Sequence, residues 1–392
     1  MNQLISIFSS IRLTVALLFL GIVLIFFGTL DQVHIGIRGA QEQYFESLLA
    51  FWHYPLQWPL GDRLHWVALP VPGGYLIGPL LVVNLVCAHF RYFQPGWRKA
   101  GIVAIHAGVV LLLVSQLMTN ILQEESDMWI REGERSNFME SRLENELVVI
   151  DTTGPERDAI ISIPTELIAR QNMFRHPKLP FSISIREYYP NASITRRGAN
   201  SGQPAIAVSR GVASETEVVV TPRPETSRLD ERNAIAAVIE LSGAGGDLGS
   251  WLVSNVFADS VPRQEFSYEG HTYEIALRFK RTYLPYSIEL IDFTHDRYPG
   301  TEIPKNFASD VRIHNPAKNE HRQTKIYMNH PLRYEGLTFF QASFTKDDQA
   351  SMFQVVRNPG WLIPYISCGL VSIGLILQFG IHLFRFASRK RV

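Results

Sequence analysis

The chain is 392 residues long, with 37 lysines and arginines balanced by 37 aspartates and glutamates. A formal charge of zero, with no basic stripe carrying interleaved aromatics, argues against nucleic acid as a partner. The 2 cysteines, Cys87 and Cys368, both fall in apolar runs, so the polar portion has no disulfide framework and thiol–disulfide exchange by this chain alone is not expected.

The apolar residues, 46% of the chain, are concentrated towards its two ends. Residues 13–30 (LTVALLFLGIVLIFFGTL) form a run longer than a signal-peptide core and continue into DQVHIGI without a small-x-small cleavage site. They read as a retained transmembrane helix. Residues 31–72 are polar and aromatic, and Trp52, Tyr54, Trp58 and Trp66 suit the headgroup level of a bilayer. Within them, 41–51 is expected as a short helix along the membrane surface. Residues 73–90 make a second span, kinked or extended around Pro79. After a loop at 91–99, residues 99–123 run more than twenty positions beyond Lys99 without a formal charge and make the third span. The fourth is 359–384, with Trp361 and Tyr365 at its outer end.

The loop at 91–99 carries Arg91, Arg98 and Lys99, and the tail carries Arg385, Arg389, Lys390 and Arg391, neither with an acid. The positive-inside rule therefore sets both in the cytoplasm, with both termini, and sets 31–72 and about 124–358 on the extracytoplasmic side. In that large stretch, 146–151, 181–187, 217–221, 234–241, 272–279 and 286–292 read as short strands, several alternating apolar with polar residues. Residues 191–202 and 243–249 read as polar loops. The expected architecture is a membrane protein of four transmembrane α-helices with a large extracytoplasmic, mainly-β domain inserted between helices 3 and 4. Its parts are 1–123 (three spans), 124–358 (the β-rich domain) and 359–392 (the fourth span and a basic tail).

His106 is the one ionisable side chain inside the third span. At roughly 1.5 Å per residue it lies on the order of 8–10 Å from the cytoplasmic face, and an intramembrane histidine marks a functional site. His89 and His382 close the second and fourth spans on the same side, so three helices bring imidazoles to the inner third of the membrane. Imidazole ligates haem iron. For His89 and His382 the competing role is an interfacial histidine facing headgroups; for His106 it is a histidine bonded to a neighbouring helix. The histidines at 34, 53, 65, 176, 271, 295, 314, 321 and 330 lack ligand spacing and are expected in surface or turn roles. There is no phosphate loop, nucleophile elbow or His-Glu metal helix. Nothing reads as a self-sufficient hydrolase or transferase, and no catalytic residue is assigned.

Residues 10–45 (SIRLTVALLFLGIVLIFFGTLDQVHIGIRGAQEQYF) resemble the opening of ResB-type (CcsB-type) cytochrome c biogenesis proteins, with its Ser-x-Arg start, Gly-Thr-Leu-x-Gln-Val turn and Ala-Gln-x-x-Tyr-Phe segment. Residues 99–119 are similar to that family's histidine-bearing third span, and 132–142 (EGERSNFMESR) to the segment after it. Residues 328–344 (MNHPLRYEGLTFFQASF) and 357–370 (RNPGWLIPYISCGL) resemble the approach to the last span and its entry. The matches are colinear along the chain; the middle of the β-rich stretch, about 158–260, carries none.

The resemblance implies a subunit of a system II haem-delivery and ligation complex. Haem b would cross the membrane and be attached to a Cys-x-x-Cys-His apocytochrome c with a ResC/CcsA-type membrane partner, and thioredoxin-like thiol reductants are further expected partners. The chain shows no tryptophan-rich segment and resembles the unfused ResB subunit, a non-self-sufficient part of a holocytochrome c synthase. His106 matches the position of the family's intramembrane haem ligand, the opposite ligand being expected from the partner; haem would be bound transiently. Arg91, Arg98, Lys99 and Arg385 lie near enough to meet haem propionates, though the positive-inside rule accounts for them without haem. Two rivals stand beside this reading. One is a haem-b electron-transfer subunit, which needs two opposing ligands within its own helices; the other is a membrane-anchored binding scaffold.

Overall fold

The computed structural model describes residues 2–389 apart from 57, 65, 93–95, 97–98, 156, 198–203, 227–231, 258–260, 302–303 and 346. His65, Arg98, Lys390, Arg391 and the end of the loop expected at 191–202 lie outside the described residues. The chain divides into two compact units, one made chiefly of Met1–Glu124 with Asn358–Val392, the other of Glu125–Thr226 with Glu231–Arg357.

The first unit holds four helices long and apolar enough to cross a membrane: α1 (Ile11–Ala40), α2 (Gly74–Tyr92), α3 (Ala100–Leu122) and α4 (Ile363–Arg389). A short helix, Asn2–Phe8, precedes α1. Helix α1 outruns the expected span by ten residues because its polar end finds partners. Tyr44 Oη donates to Asp31 Oδ2 at 2.5 Å and Arg38 pairs with Glu42 at 2.7 Å. The helix is broken once, at Gly36 (φ 75°, ψ 171°), where a residue without Cβ takes a positive φ at little cost. The surface helix expected at 41–51 is confined to a π-helical turn at Gln41–Phe45. Beyond it the chain pairs as a hairpin, β1 (Leu49–His53) with β2 (Ala68–Pro72). Trp52, expected at headgroup level, is buried against Phe27 with ring centroids 4.9 Å apart.

Helices α3 and α4 pack through small residues. Gly101, Gly108 and Ser115 recur every seven positions on α3, as do Ser367 and Gly374 on α4, and all three on α3 are buried. A methyl group added at Gly101 would fall 2.6 Å from the Gly374 carbonyl oxygen, and one at Gly374 2.7 Å from that of Gly101. In lipid, where apolar burial does not drive helices together, such close backbone approach supplies the attraction. Helix α2 is held to the start of α1 by buried Asn84. Its Nδ2 donates to the carbonyls of Phe8 (2.6 Å) and Ser10 (3.2 Å), while Thr14 Oγ1 donates to its Oδ1 at 2.6 Å.

The second unit is β-rich and contains two main apolar cores. Strands β3 (Glu124–Arg131), β4 (Arg135–Asp151), β5 (Ala159–Pro164), β6 (Met173–Phe174), β7 (Phe181–Tyr189), β8 (Ala192–Arg196), β9 (Val218–Pro222), β10 (Ala236–Gly243) and β11 (Gly246–Ser254) lead to β12 (Gln264–Tyr268) and β13 (His271–Arg297); β14 (Pro304–Asn315), β15 (Glu320–Tyr327), β16 (Leu332–Tyr334), β17 (Leu337–Phe344) and β18 (Ala350–Arg357) complete it. The largest sheet runs β15-β14-β13-β4-β3-β18-β17-β16, with β12 on β13 and β5 on β4. It wraps one core, where Ile288 and Leu290 meet Ile313, Phe339 and Phe353. Ser309 Oγ of β14 reaches Gln341 of β17 (2.7 Å) and Ser351 of β18 (2.9 Å), so the sheet curls towards closure.

The second core lies between the far ends of β4 and β13 and a four-stranded sheet, β11-β10-β7-β6. Strand β10 is buried on both faces: Ala237, Ile239 and Leu241 point into this core, and Ala236 and Val238 meet Ala192 and Val218 of the β8–β9 hairpin. Strand β8 of that hairpin occupies 192–196, expected as polar loop, and of the loop expected at 243–249 only residues 244–245 connect β10 to β11, the rest lying in those strands. The two strands expected at 272–279 and 286–292 are one strand of 27 residues. Lys280, Arg281 and Pro285 interrupt its apolar alternation, and the pairing with β4 absorbs them in register shifts at Phe279/Arg281 and Tyr283/Ile288. Between the two cores, buried Glu146 and Arg278 pair at 2.9 Å, and Ser162 Oγ donates to the same carboxylate at 2.6 Å.

Candidate functional site: a histidine pair between membrane-length helices

Helix α3 turns about 100° per residue, so His106, five positions after Gly101, sits about 140° round from the face that meets α4. That rotation carries it towards α2. The His106 ring meets the His89 ring there, with centroids 6.3 Å apart and planes at 88°. Both rings are half-buried. His89 has further partners. Among the described residues His106 makes no hydrogen bond, and its ring contact is with His89.

His382 stands apart from that contact. It is exposed on α4, and its Nε2 lies 2.9 Å from Nε2 of Gln378, one turn earlier. Gln378 itself packs against Gly101 and keeps its Oε1 buried without a protein partner. Arg91, in the last turn of α2, donates to buried Ser9 Oγ at 2.9 Å, which joins the helix to the start of the chain. Asn84 was not singled out from sequence, although a lone amide inside an apolar span signals an interhelical bond.

An imidazole pair in an apolar setting can do limited chemistry: donate a lone pair to a metal, share a proton, or bond a polar ligand group. Iron in a porphyrin suits the first of these, because it takes neutral imidazole nitrogen and its ring seeks an apolar surround. The half-buried, unbonded ring of His106 fits such a ligand.

In the β unit several histidines have carboxylate partners. The side chain of His295 is buried, its Nδ1 3.0 Å from Asp348 Oδ1, its ring 4.3 Å from that of Phe344, and its Nε2 without a partner among the described residues. His314 Nε2 lies 2.5 Å from Glu289 Oε2, and its Nδ1 is 3.0 Å from His321 Nδ1. His271 Nδ1 is 2.8 Å from Asp151. These contacts exceed the plain surface roles expected of them. Among the described residues no group of three or more His, Cys, Asp or Glu side chains is arranged to hold a metal ion.

The sequence model of the ResB-like family matches residues 264–352, which are β12 to β17 and the start of β18. Protein NrfI of Wolinella succinogenes is 22% identical over 272 residues, 69% of this chain but 26% of NrfI. Cytochrome c biogenesis protein CcsB of Prochlorococcus marinus is 41% identical over 59 residues, 15% of this chain and 14% of CcsB. The aligned parts thus span about a quarter or less of these relatives' own lengths. Four membrane-length helices in one unit and a β unit entered after α3 and left before α4 make the chain a multi-pass membrane protein, similar over residues 264–352 to the ResB-like family.

Proposed function

We propose that the chain is the haem-handling subunit of a cytochrome c ligation complex, presenting haem b to a ResC/CcsA-type membrane partner for attachment to a Cys-x-x-Cys-His apocytochrome c. The observation that carries this reading is the His89–His106 contact between two membrane-length helices, with His106 unbonded. Haem is cargo here. His106 is the axial ligand in this reading, and His89 is a neighbour able to orient it or to take the iron in turn; His382 is a further candidate at the same end. Attachment itself is redox-neutral. Each cysteine S–H adds across a vinyl C=C of the porphyrin, making one C–S and one C–H bond. The thiols must first be reduced, a task for a separate thiol reductant because neither Cys87 nor Cys368 lies in the β unit. The basic segments at 91–99 and 385–391 support termini in the cytoplasm and a β unit on the opposite side.

The test is the haem absorbance of the chain purified with and without its membrane partner, in wild type, His106→Ala and His89→Ala. Haem present in the complex, lost in His106→Ala and spectrally altered in His89→Ala is the expected result. Unchanged haem in His106→Ala removes that residue from the site, and no haem in an intact complex leaves the scaffold reading. A stable bis-histidine spectrum from the isolated chain assigns it to electron transfer instead.

A further inference from the structure

We propose that the outer edge of β5 is a docking strand for an extended, acidic segment of a partner protein. Among the described residues strand β5, sequence AIISIP, pairs with β4 alone, in the register Leu147↔Ile163 and Val149↔Ile161. Its other edge presents a row of backbone N–H and C=O groups, and it carries no charge. Exposed apolar edges pair readily with other chains unless charge, proline or a covering segment prevents it. Other edges of this unit show those protections. Strand β15 carries Glu320, Arg322 and Lys325. The edge of β11 is covered, the N–H groups of Ser209 and Arg210 donating to the Ser250 carbonyl at 3.2 and 3.0 Å and Gln264 Nε2 to that of Leu252 at 2.9 Å. On β5 the sole such device is Pro164, at its very end.

A second observation says what would pair there. Beside β5 the second core opens in a groove of about 340 Å³ lined by Ile163, Leu167, Phe174 and Leu179, with Arg175 and Lys178 on its rim. Leu167 leaves 42% of its surface exposed, so apolar side chains of an added strand on the Ile161 and Ile163 face would extend a core already formed. The rim is cationic. Between Leu167 and Pro180 the chain carries Arg170, Arg175 and Lys178 and no acid, and none of the three has an ion-pair partner among the described residues. The rim is also pre-shaped: the N–H groups of Lys178 and Leu179 donate to His176 Nδ1 (3.3 Å) and the His176 carbonyl (2.9 Å), between Pro177 and Pro180. In strand addition, main-chain bonds supply affinity and alternate side chains supply specificity. An occupant of about six residues, the length of β5, with apolar side chains towards the groove and carboxylates among the others, meets both demands.

The experiment uses the full chain in detergent with three fluorescent peptide probes: one alternating valine with glutamate, its lysine counterpart, and the glutamate peptide with a central proline. The expected result is binding of the glutamate peptide alone, weakened about tenfold in Arg175→Glu/Lys178→Glu, with slowed amide exchange across β5 on binding. The charge-reversed variant should retain its far-ultraviolet circular dichroism and gain affinity for the lysine peptide, which separates lost docking from lost folding. The proposal is overturned by absence of glutamate-peptide binding, by equal binding of the lysine or proline peptide, or by protection confined to residues 167–179. That last outcome would describe an amphiphile seated in the groove without strand addition.

Discussion

Glu289, on β13, gathers its neighbours' hydrogen atoms on one carboxylate. His314 Nε2 lies 2.5 Å away, Arg312 Nη1 3.5 Å and Arg135 Nη2 3.9 Å. A carboxylate can only accept, so His314 carries a hydrogen on Nε2 and turns Nδ1 towards His321. The hydrogen bond from His314, then the Arg312, His314 and Arg135 charges, hold the Glu289 carboxyl below its ordinary value against the opposing effect of burial. A depressed carboxyl stabilises the folded state above its unfolded pKa, and the contribution is lost as pH falls through the lower, folded value. Glu289→Gln should therefore lower the stability of the full chain at neutral pH, by no more than about 1 kcal/mol for a partly solvated group, and the difference should vanish under acid. Denaturant midpoints at a series of pH values between neutral and strongly acidic measure it; a deficit that persists at low pH would mean that Glu289 acts through packing and not through charge.

Among the elements, the α3–α4 seam depends on what is missing from it. A side chain at Gly108 would meet Val371 Cγ2 at 2.6 Å and the Ser367 carbonyl at 3.0 Å. Gly108→Leu is expected to separate the helices and destabilise the detergent-solubilised chain by about 1–3 kcal/mol, while Ile102→Leu, on an exposed position of α3, leaves it unchanged. Thermal inactivation of the two variants side by side decides this, equal curves showing that the helices are not in close backbone contact. The four spans were legible because twenty uncharged apolar residues have few alternatives to a membrane helix. The polar end of α1 was not: Asp31 and Arg38 read as loop until Tyr44 and Glu42 are seen to take them up. The three histidines were legible as a group at one end of the spans. Which two of them touch depends on helix rotation, which apolar composition does not determine, and the seven-residue recurrence of Gly101, Gly108 and Ser115 is the sequence signal that fixes it.

Across the whole β unit, the alternation of apolar residues revealed strands but not their partners, since β4 pairs with β13 across more than a hundred residues of intervening chain. The consequence of that pairing is mechanical. Both strands run through both cores: Leu147 and Leu277 are buried in one, Met139 and Leu290 in the other. A strand ordered at one end is not easily disordered at the other, so the two cores should unfold together despite having separate apolar clusters. Leu277→Ala and Leu290→Ala each remove a fully buried side chain at a cost of about 2–5 kcal/mol. Hydrogen exchange of the full chain tests the coupling: Leu277→Ala should speed exchange in β14 and β17 as well as in β10, and Leu290→Ala should speed β7 and β10 as well as β14. If each substitution loosens its own core alone, the bulges at Phe279/Arg281 and Tyr283/Ile288 act as hinges, and the unit is two folding domains that share a strand.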